Sequence, residues 1–347
     1  MKVDYIVVGF GLAGMAFIHE LEKRNKSFVV FDDNPNLSGR IIGGMYNPII
    51  LKRFTPAWNA HQMLEVALPF YRDIERKFNN KYIFQSKIYR ILQSIEEQNN
   101  WMVASDKHVM VNYMIPKIVK ENINGIKADF GFGVLEGVGR VDGEQIVEDY
   151  GNYLDNHFIK DRFSYEKLVI NDNQVEYKDI EAKKIVFAEG SYLYQNPFFN
   201  YLPMRPAKGE LLVIEVPELN MDFTLKSGVF MVPFGENKYV VGATYNWEDK
   251  TFDSTSKAQE ELEKKLQKFL KLPYKILDYK VGIRPTIKDR RPLIGKHPKH
   301  SNLAILNGLG TRGIILAPGL AKALINHLEE EKPLNKEMDI ARFSINS

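Results

Sequence analysis

Residues 2–33 place the tightest constraint on the fold of this chain. They run from an apolar stretch over 2–8, through the turn Gly9-Phe10-Gly11-Leu12-Ala13-Gly14, to a helix-like segment over 15–24 and a second apolar stretch over 27–31 that ends at Asp32. Glycines in this spacing, after one strand and opening a helix that leads to a second, form a nucleotide-binding crossover. Gly9 permits the tight turn, Gly11 lets backbone approach a pyrophosphate, and Gly14 lets the helix pack closely on the sheet. The phosphates would sit on the open N–H groups of the helix N-terminus. Asp32, eighteen residues past Gly14, is placed to accept hydrogen bonds from ribose hydroxyls and disfavours a 2′-phosphate. The competing assignment is a packing turn that holds no cofactor.

At 347 residues the chain exceeds the usual size of a single core, so two domains are expected, one of them holding the nucleotide. Hydrophobic residues at 44% and charged residues at 26% suit an ordinary globular protein, and no apolar run has the length of a membrane span. A strand that starts at residue 2 leaves no room for a leader ahead of it, which makes the cytoplasm the expected compartment. The absence of cysteine excludes disulfides, thiolate metal ligands and a nucleophilic thiol. The seven histidines are scattered, with His297 and His300 flanking Pro298, so no metal site is indicated. There is no Gly-x-Ser-x-Gly elbow of a hydrolase.

Residues 34–56 are rich in Gly, Asn and Pro and read as a long loop lining something. Helical spacing appears over 58–78 (Met63, Val66, Ala67, Phe70, Ile74), and alternating runs over 82–114 suggest antiparallel strands. A helix is expected over 143–154, then strands over 166–175 and 179–190, 208–216 and 229–244. An amphipathic helix follows with Leu262, Leu266, Phe269 and Leu270 on one side. The last segment reads as a buried strand over 303–306, a glycine loop over 308–313 and a helix over 317–330 with Pro318 in its first turn. The fold class is therefore α/β: a Rossmann-like domain of mixed or parallel sheet, made of 1–81, 138–203 and 283–347. An antiparallel-sheet substrate domain of α+β type, 82–137 and 204–282, is inserted into it.

Several blocks beyond the N-terminal turn resemble the D-amino-acid oxidase superfamily, in its glycine-oxidase-like and sarcosine-oxidase-like branch. They are Ile185 to Gly190, Met204 to Glu210, Met231-Val232-Pro233 with Val241 to Thr244, Gly282-Ile283-Arg284-Pro285 with Asp289 and Pro292 to Gly295, and Gly308 to Pro318. The flavin domain of the bifunctional enzyme that completes aminomethyl-uridine modification in tRNA is also similar, around Thr311-Arg312-Gly313 and Ala317-Pro318; its methyltransferase half has no counterpart here. The resemblance implies FAD rather than NAD, an isoalloxazine between the domains, and a small-molecule amine or amino acid as substrate. Without cysteine the flavin is expected to be non-covalent. Besides Gly9, Gly11, Gly14 and Asp32, the cofactor set it implies comprises Leu12, Ala13 and Asp33 near the first turn. Arg40, Gly43, Gly44 and Met45 belong to the loop that follows. Ala188, Glu189 and Gly190 come from the middle block; Gly308, Gly310, Thr311, Arg312, Gly313 and Ile314 come from the last. Unpaired N–H groups and a helix dipole there suit the negative charge that develops at N1 and the C2 carbonyl oxygen of a reduced flavin.

Three residues are catalytic candidates. In relatives the arginine of the Gly-x-Arg-Pro block clamps the substrate carboxylate, a role that falls to Arg284, whose planar fork makes two parallel charge-assisted hydrogen bonds. A structural ion pair with an acid such as Asp289 is the competing assignment. Arg312 is the second candidate: glycine-oxidase-like relatives carry an arginine one position earlier, at Thr311 here, while the tRNA-modifying relatives place it as in this chain. Tyr46 lies in the loop put beside the flavin, where a phenol can orient an amine or order water; the alternative is a core aromatic. Phe230 stands where glycine-oxidase-like relatives have a tyrosine, which disfavours glycine itself as substrate. Tyr245 has the polar group to stand in for the missing hydroxyl.

The expected activity is FAD-dependent oxidation of an amine bearing a carboxylate, by hydride transfer to flavin N5 and hydrolysis of the imine, with oxygen or another acceptor downstream. A tRNA-modifying oxidase that removes a carboxymethyl group from a wobble uridine is the alternative. Residues 257–291 carry eight lysines and three arginines against five acids, enough to track phosphates or to form the solvated face of a helix, and the second is favoured. A third reading is a flavin-binding protein without turnover. Substrate stereochemistry and oligomeric state are not legible in the sequence.

Overall fold

The structure is a computed structural model that describes residues 1–33 and 44–343. The opening crossover forms as its pattern requires. Strand β1 (Lys2–Val8) leads into α1 (Leu12–Lys23), and β2 (Phe28–Phe31) returns parallel to β1. The N-cap of α1 is Gly11, which has no side-chain acceptor and so leaves the first N–H groups of the helix uncapped. The first sheet has the order β17 (Leu293–Lys296), β18 (Leu303–Asn307), β11 (Ile180–Phe187), β1, β2, β8 (Phe158–Ile159). All neighbours in it are parallel except β17 and β18, and β9 (Leu168–Ile170) and β10 (Val175–Tyr177) add an antiparallel meander onto β11. Both faces of β1 are covered. Tyr5 and Val7 join one core with Phe17, Leu320 and Leu324, whereas Ile6 and Val8 join another with Phe163, Tyr177 and Phe187. A strand buried on both sides reads as a continuous apolar run, as this one does.

The second sheet has the order β16 (Lys275–Arg284), β12 (Ala207–Glu215), β15 (Lys238–Gly242), β14 (Phe230–Pro233), β13 (Thr224–Lys226), β6 (Ile83–Ile91), β7 (Phe132–Val141), β3 (Met45–Tyr46). It is antiparallel throughout except between β13 and β6. Its strands alternate: Leu212, Ile214, Met231 and Val241 pack against Leu262 and Leu266 of α5 (Ser256–Leu266), while Gly209, Leu211, Phe230 and Gly242 face the other way, toward the nucleotide domain. Strand β3 comes from the N-terminal segment yet completes this sheet, and β7 runs across the 137/138 junction. A separate hairpin joins β4 (Ile49–Ile50) to β5 (Thr55–Pro56).

Helices α2 (Ala60–Phe78) and α4 (Gly143–Leu154) occupy the expected places. Elsewhere the structure corrects the reading of the sequence. Residues 82–114 hold one strand, β6, and then a helix, α3 (Ile95–Ser105). Ser94 caps it by accepting from the Glu97 N–H, and the Glu97 carboxylate accepts from the Gln93 N–H, so the local signal Ser-x-x-Glu was present. Helical apolar spacing was not, because only Trp101, Ala104 and Ser105 of α3 are buried. Trp101 fastens it: the indole packs on Gly133 of β7, where a Cβ would stand 2.3 Å from the ring, and its N–H donates to the Ile115 carbonyl at 3.0 Å. The single strand expected over 166–175 is instead the β9–β10 hairpin. Helix α5 stops at Leu266, although Phe269 and Leu270 stay buried in the turn beyond it.

The last helix, α6 (Gly313–Glu330), starts four residues earlier than expected, so Pro318 lies inside it rather than in its first turn. An internal proline cannot donate to the carbonyl four residues back, here that of Ile314. The buried Tyr71 hydroxyl of α2 donates to that oxygen at 3.0 Å, so the lost bond is replaced from a neighbouring helix. Among the described residues no helix is long and apolar enough to cross a membrane. Replacement of Tyr71 by Phe strands the Ile314 carbonyl in the core, and the expected result is a loss of about 1–3 kcal/mol. Urea unfolding of Tyr71→Phe measures it; a midpoint indistinguishable from that of the parent at equal slope would show that the bond carries no stability.

Candidate active site

A cavity of about 930 Å³ lies between the carboxyl ends of the first sheet and the exposed face of the second. The first sheet opens there because β1, β2 and β11 all end on turns whose backbones touch. Gly9 has φ +97°, and a Cβ on it would stand 2.6 Å from the Ala188 carbonyl oxygen. A Cβ on Gly14 would stand 2.0 Å from the Gly9 oxygen, so its smallness serves the approach of α1 to the turn. Gly11 differs: an added Cβ meets nothing within 4 Å, because its Cα faces the cavity. The N-terminus of α1 thus has open N–H groups, no side-chain cap and free space ahead of it, which is the donor set and shape a diphosphate needs.

Most of the cofactor residues expected from the sequence line this cavity: Gly9, Gly11, Leu12, Ala13, Asp32 and Asp33 at one end, with Gly44 and Met45 beside them. Ala188, Glu189 and Gly190 follow β11, and Gly310, Thr311, Arg312, Gly313 and Ile314 precede or open α6. Because α6 starts at Gly313, with Arg312 as an N-cap that makes no side-chain cap bond, a second open helix end borders the same space. Gly14 and Gly308 are not in the wall. Gly308 holds a turn at φ +75°, packed against Ile287, Pro292 and Leu293. Arg40 and Gly43 lie outside the described residues. Asp32 has a structural task beyond the one expected of it, since its carboxylate accepts from the Phe10 N–H and braces the turn against the end of β2.

Two residues of this region were not singled out. Asn307, buried at the end of β18, donates to the Gly190 carbonyl at 3.0 Å and accepts from the Gly308 N–H at 2.7 Å, tying the middle loop to the last one. Asn47 offers its carbonyl to Arg312. Neither belongs to a recognisable spacing. Glu189, which was expected, has an unexpected state. The Tyr165 hydroxyl and the Asn196 amide, at 2.8 Å, both donate to it, yet desolvation outweighs them and pushes its carboxyl up to about 7.

At the other end stand the two arginines. Arg284 closes β16, and its guanidinium fills the space over Gly209 of β12, where a Cβ would lie 2.0 Å from Nη2. Nη1 donates to the Thr244 and Lys208 carbonyl oxygens at 3.2 and 3.4 Å, and Tyr245 stacks on the guanidinium with Cζ 4.2 Å from the ring centroid. Asp289 is not its partner: that carboxylate accepts from Arg342 Nε at 3.0 Å and from the Arg291 N–H at 2.9 Å. Arg312 Nη1 donates to the Asn47 carbonyl at 2.6 Å, and the Tyr245 phenol is within electrostatic reach of it as well. Burial lowers both guanidinium pKa values without discharging them. Among the described residues neither arginine pairs with a carboxylate. Phe230 lines the wall, as does Lys226.

Tyr46 does not join them. Strand alternation sends Met45 to the cavity and Tyr46 to the core, where its hydroxyl abuts Gly139 and burial pushes its pKa up to about 12. The basic stretch 257–291 is spread over α5, β16 and the segments that follow each, and within α5 Lys264 and Lys265 are paired with Glu260 and Glu261, as on a solvated helix face. Among the described residues no group of three or more His, Cys, Asp or Glu side chains is placed to hold a metal ion.

Comparison with known proteins agrees with this geometry. A glycine oxidase of Bacillus subtilis is 31% identical over 166 residues, 46% of this chain and 44% of that protein. A tRNA 5-methylaminomethyl-2-thiouridine biosynthesis bifunctional protein of Idiomarina loihiensis is 26% identical over 194 residues, 51% of this chain and 32% of that protein. The matched stretches thus span less than half the length of either relative. In fold, the glycine oxidase from Geobacillus kaustophilus superposes with a TM-score of 0.80 at 18% identity, covering 99% of this chain and 98% of that one. The iminodiacetate oxidase from Chelativorans sp. BNC1 gives 0.77 at 17%, covering 96% and 98%. Residues 4–327 match the DAO family, described as FAD dependent oxidoreductase. The dinucleotide cradle, the two open helix ends and this match make the chain a member of the DAO family, an oxidoreductase whose cofactor is FAD.

Proposed function

We propose that this enzyme oxidises the C–N bond of an amino acid or a related amine that bears a carboxylate. The observation that carries the reading is the pair Arg284 and Arg312: two desolvated guanidiniums in one wall of the FAD cavity, the first stacked on Tyr245 and the second within its electrostatic reach, with no acid on either among the described residues. A buried cation without a counter-ion is costly, and a substrate carboxylate relieves that cost. The glycine oxidase of Bacillus subtilis, by its name, acts on such a molecule.

The residues have separable tasks. Arg284, held in plane by the Thr244 and Lys208 carbonyls and by the Tyr245 ring, presents a fixed fork to the carboxylate and so fixes the rotation of the substrate about its α-carbon. Arg312 is anchored through Nη1 and adds positive potential. Phe230 lines the wall with apolar surface and no hydroxyl, which keeps water from the reacting carbon. An ammonium is disfavoured beside these cations, so the amine is held in the neutral form whose lone pair drives loss of the α-hydrogen as hydride. FAD, when bound, supplies the acceptor for that hydride. The resulting imine takes up water and releases the amine and a carbonyl product.

Anaerobic addition of D-, L- and N-alkyl amino acids to the yellow protein is expected to bleach the flavin with at least one of them, and bleaching by none would overturn the reading. Arg284→Met removes one partner of a buried charge pair, worth about 2–5 kcal/mol, so kcat/KM for that substrate is expected to fall at least 30-fold while the flavin spectrum is retained. An unchanged kcat/KM would remove Arg284 from the clamp.

Glu189 leads to a pH dependence of cofactor retention. A carboxyl whose pKa is pushed up to about 7 is neutral below that pH and negative above it, and Glu189 lines the same end of the cavity as the Gly9 turn, which its backbone nitrogen borders. FAD is therefore expected to dissociate more readily as pH rises from 6 to 8.5, and Glu189→Gln to flatten the trend. Titration of the apoprotein with FAD across that range checks it; affinity independent of pH in the parent protein would show that Glu189 does not ionise near the phosphates.

A further inference from the structure

The substrate half of the cavity contains a third cation to which the two-arginine clamp assigns nothing. Lys226 ends β13 and lies in register with Phe230 of β14, on the side of the second sheet that faces the nucleotide domain. Its Nζ stands 4.6 Å from the centroid of the Phe230 ring and donates to the carbonyl of the adjacent Ser227 at 2.7 Å. Among the described residues it has no ion pair. The nearby acids are engaged elsewhere: Glu97 holds Arg90, the register partner of Lys226 on β6, and Glu261 holds Lys265 of α5. Burial, with Arg90 and Lys265 close by, pushes the Lys226 pKa down to about 8. It remains mostly charged at pH 7, an ammonium largely stripped of water with an aromatic face as its main company.

Position completes the argument. The Arg284 guanidinium sits over Gly209 on β12, and β12 is separated from β13 by β15 and β14. Three strand spacings amount to about 14 Å at the backbone. Lys226 Nζ stands over Phe230 of β14, inside that gap, and borders the same cavity as the arginine clamp, so an extended ligand with an anion at each end can meet both. Phe230 and Leu211 supply apolar wall beneath such a ligand, and neither offers a polar atom that would compete for its ends.

We propose that Lys226 binds a second anionic group on the substrate, so that the enzyme prefers amino acids whose side chains end in a carboxylate or a phosphate-like group. This rests on the carboxylate clamp proposed above: one end of the molecule is held by Arg284 and Arg312, the other by Lys226.

Binding of non-reducible acids to the FAD-loaded protein tests this without turnover, read from the perturbation of the flavin absorption band. Succinate, glutarate and adipate are compared with monocarboxylates of equal length, and 3-phosphonopropionate is included to separate the two kinds of anionic end. In the parent protein the best dicarboxylate or phosphonate is expected to bind at least tenfold more tightly than its monocarboxylate counterpart, the effect of about one charge-assisted hydrogen bond. Lys226→Gln is expected to bring that ratio close to one, and Lys226→Arg, which keeps the charge, to retain most of it. The charged groups facing Lys226 are Arg90 from β6 and Lys265 and Glu261 from α5. Since lysine is charged below its pKa, the ratio is expected to shrink as pH rises through about 8.

A ratio near one in the parent protein, or a ratio that survives Lys226→Gln, overturns the assignment, and the first of these needs no variant to fold. The two failures are distinguishable. If monocarboxylates bind but a second anion gains nothing, Lys226 alone is misassigned; if no carboxylate perturbs the flavin, the arginine clamp falls and Lys226 with it.

Discussion

The close contact of three chain crossings at Gly9 is the constraint on which the rest of the molecule depends. The Gly9 N–H donates to the Phe31 carbonyl of β2, the Ala188 N–H donates to the Val8 carbonyl of β1, and the Gly14 segment of α1 presses against the Gly9 oxygen. With two of these backbones within contact of the same peptide, no side chain fits at Gly9 or Gly14. The crowding on that side is what leaves the other side, at Gly11, empty. The open space ahead of α1, whose donors and shape suit the cofactor's phosphates, therefore follows from how tightly the turn is packed behind it. Asp32 and Asn307 extend the same logic, each using a buried polar side chain to tie one loop of the cavity wall to another.

That dependence explains which parts of the molecule could be read from the chain. The crossover was legible because its information is local: three glycines and an acid, at fixed distances, within one turn and one helix. Helix α4 was legible for a similar reason, with an Asp142 cap ahead of it and apolar positions at helical spacing. Helix α3 was not, because its buried face is almost entirely one tryptophan, whose partner Gly133 lies beyond a long irregular segment, at the start of β7. Pro318 misled for a reason of the same kind. An internal proline is tolerated only when something else satisfies the carbonyl it abandons, and the Tyr71 hydroxyl that does so comes from α2, a helix that ends at Phe78, far from Pro318 in the chain; no window around residue 318 contains it.

The candidate site divides along the same line. Arg284 and Arg312 could be named because they stand in blocks of residues that resemble a family's, and the structure supplies what the blocks lack: among the described residues no acid pairs with either guanidinium, and Tyr245 stacks on the first and lies within electrostatic reach of the second. Tyr46 could be named from its loop but not excluded from the cavity, since that depends on the phase of a two-residue strand against β7. Lys226 had no signal at all. A single lysine at the end of a short strand is ordinary in a sequence, and only the placement of β13 beside β14 turns it toward the cavity.

Charge distribution then ties the fold to the chemistry. The cofactor end of the cavity is served by helix N-termini and backbone N–H groups, whose partial charges suit phosphates without adding a net charge. The end proposed for the substrate carries full charges on Arg284, Arg312 and Lys226, each drawn partly out of water and none matched by a protein carboxylate among the described residues. Such an arrangement is unfavourable in the free protein and becomes favourable when an anion enters, so the selectivity of the site is built from the cost of leaving it empty. Glu189 fits this pattern by contrast: it lines the cofactor end of the cavity, and desolvation pushes its carboxyl up to about 7, which weakens the negative charge it sets beside the cofactor.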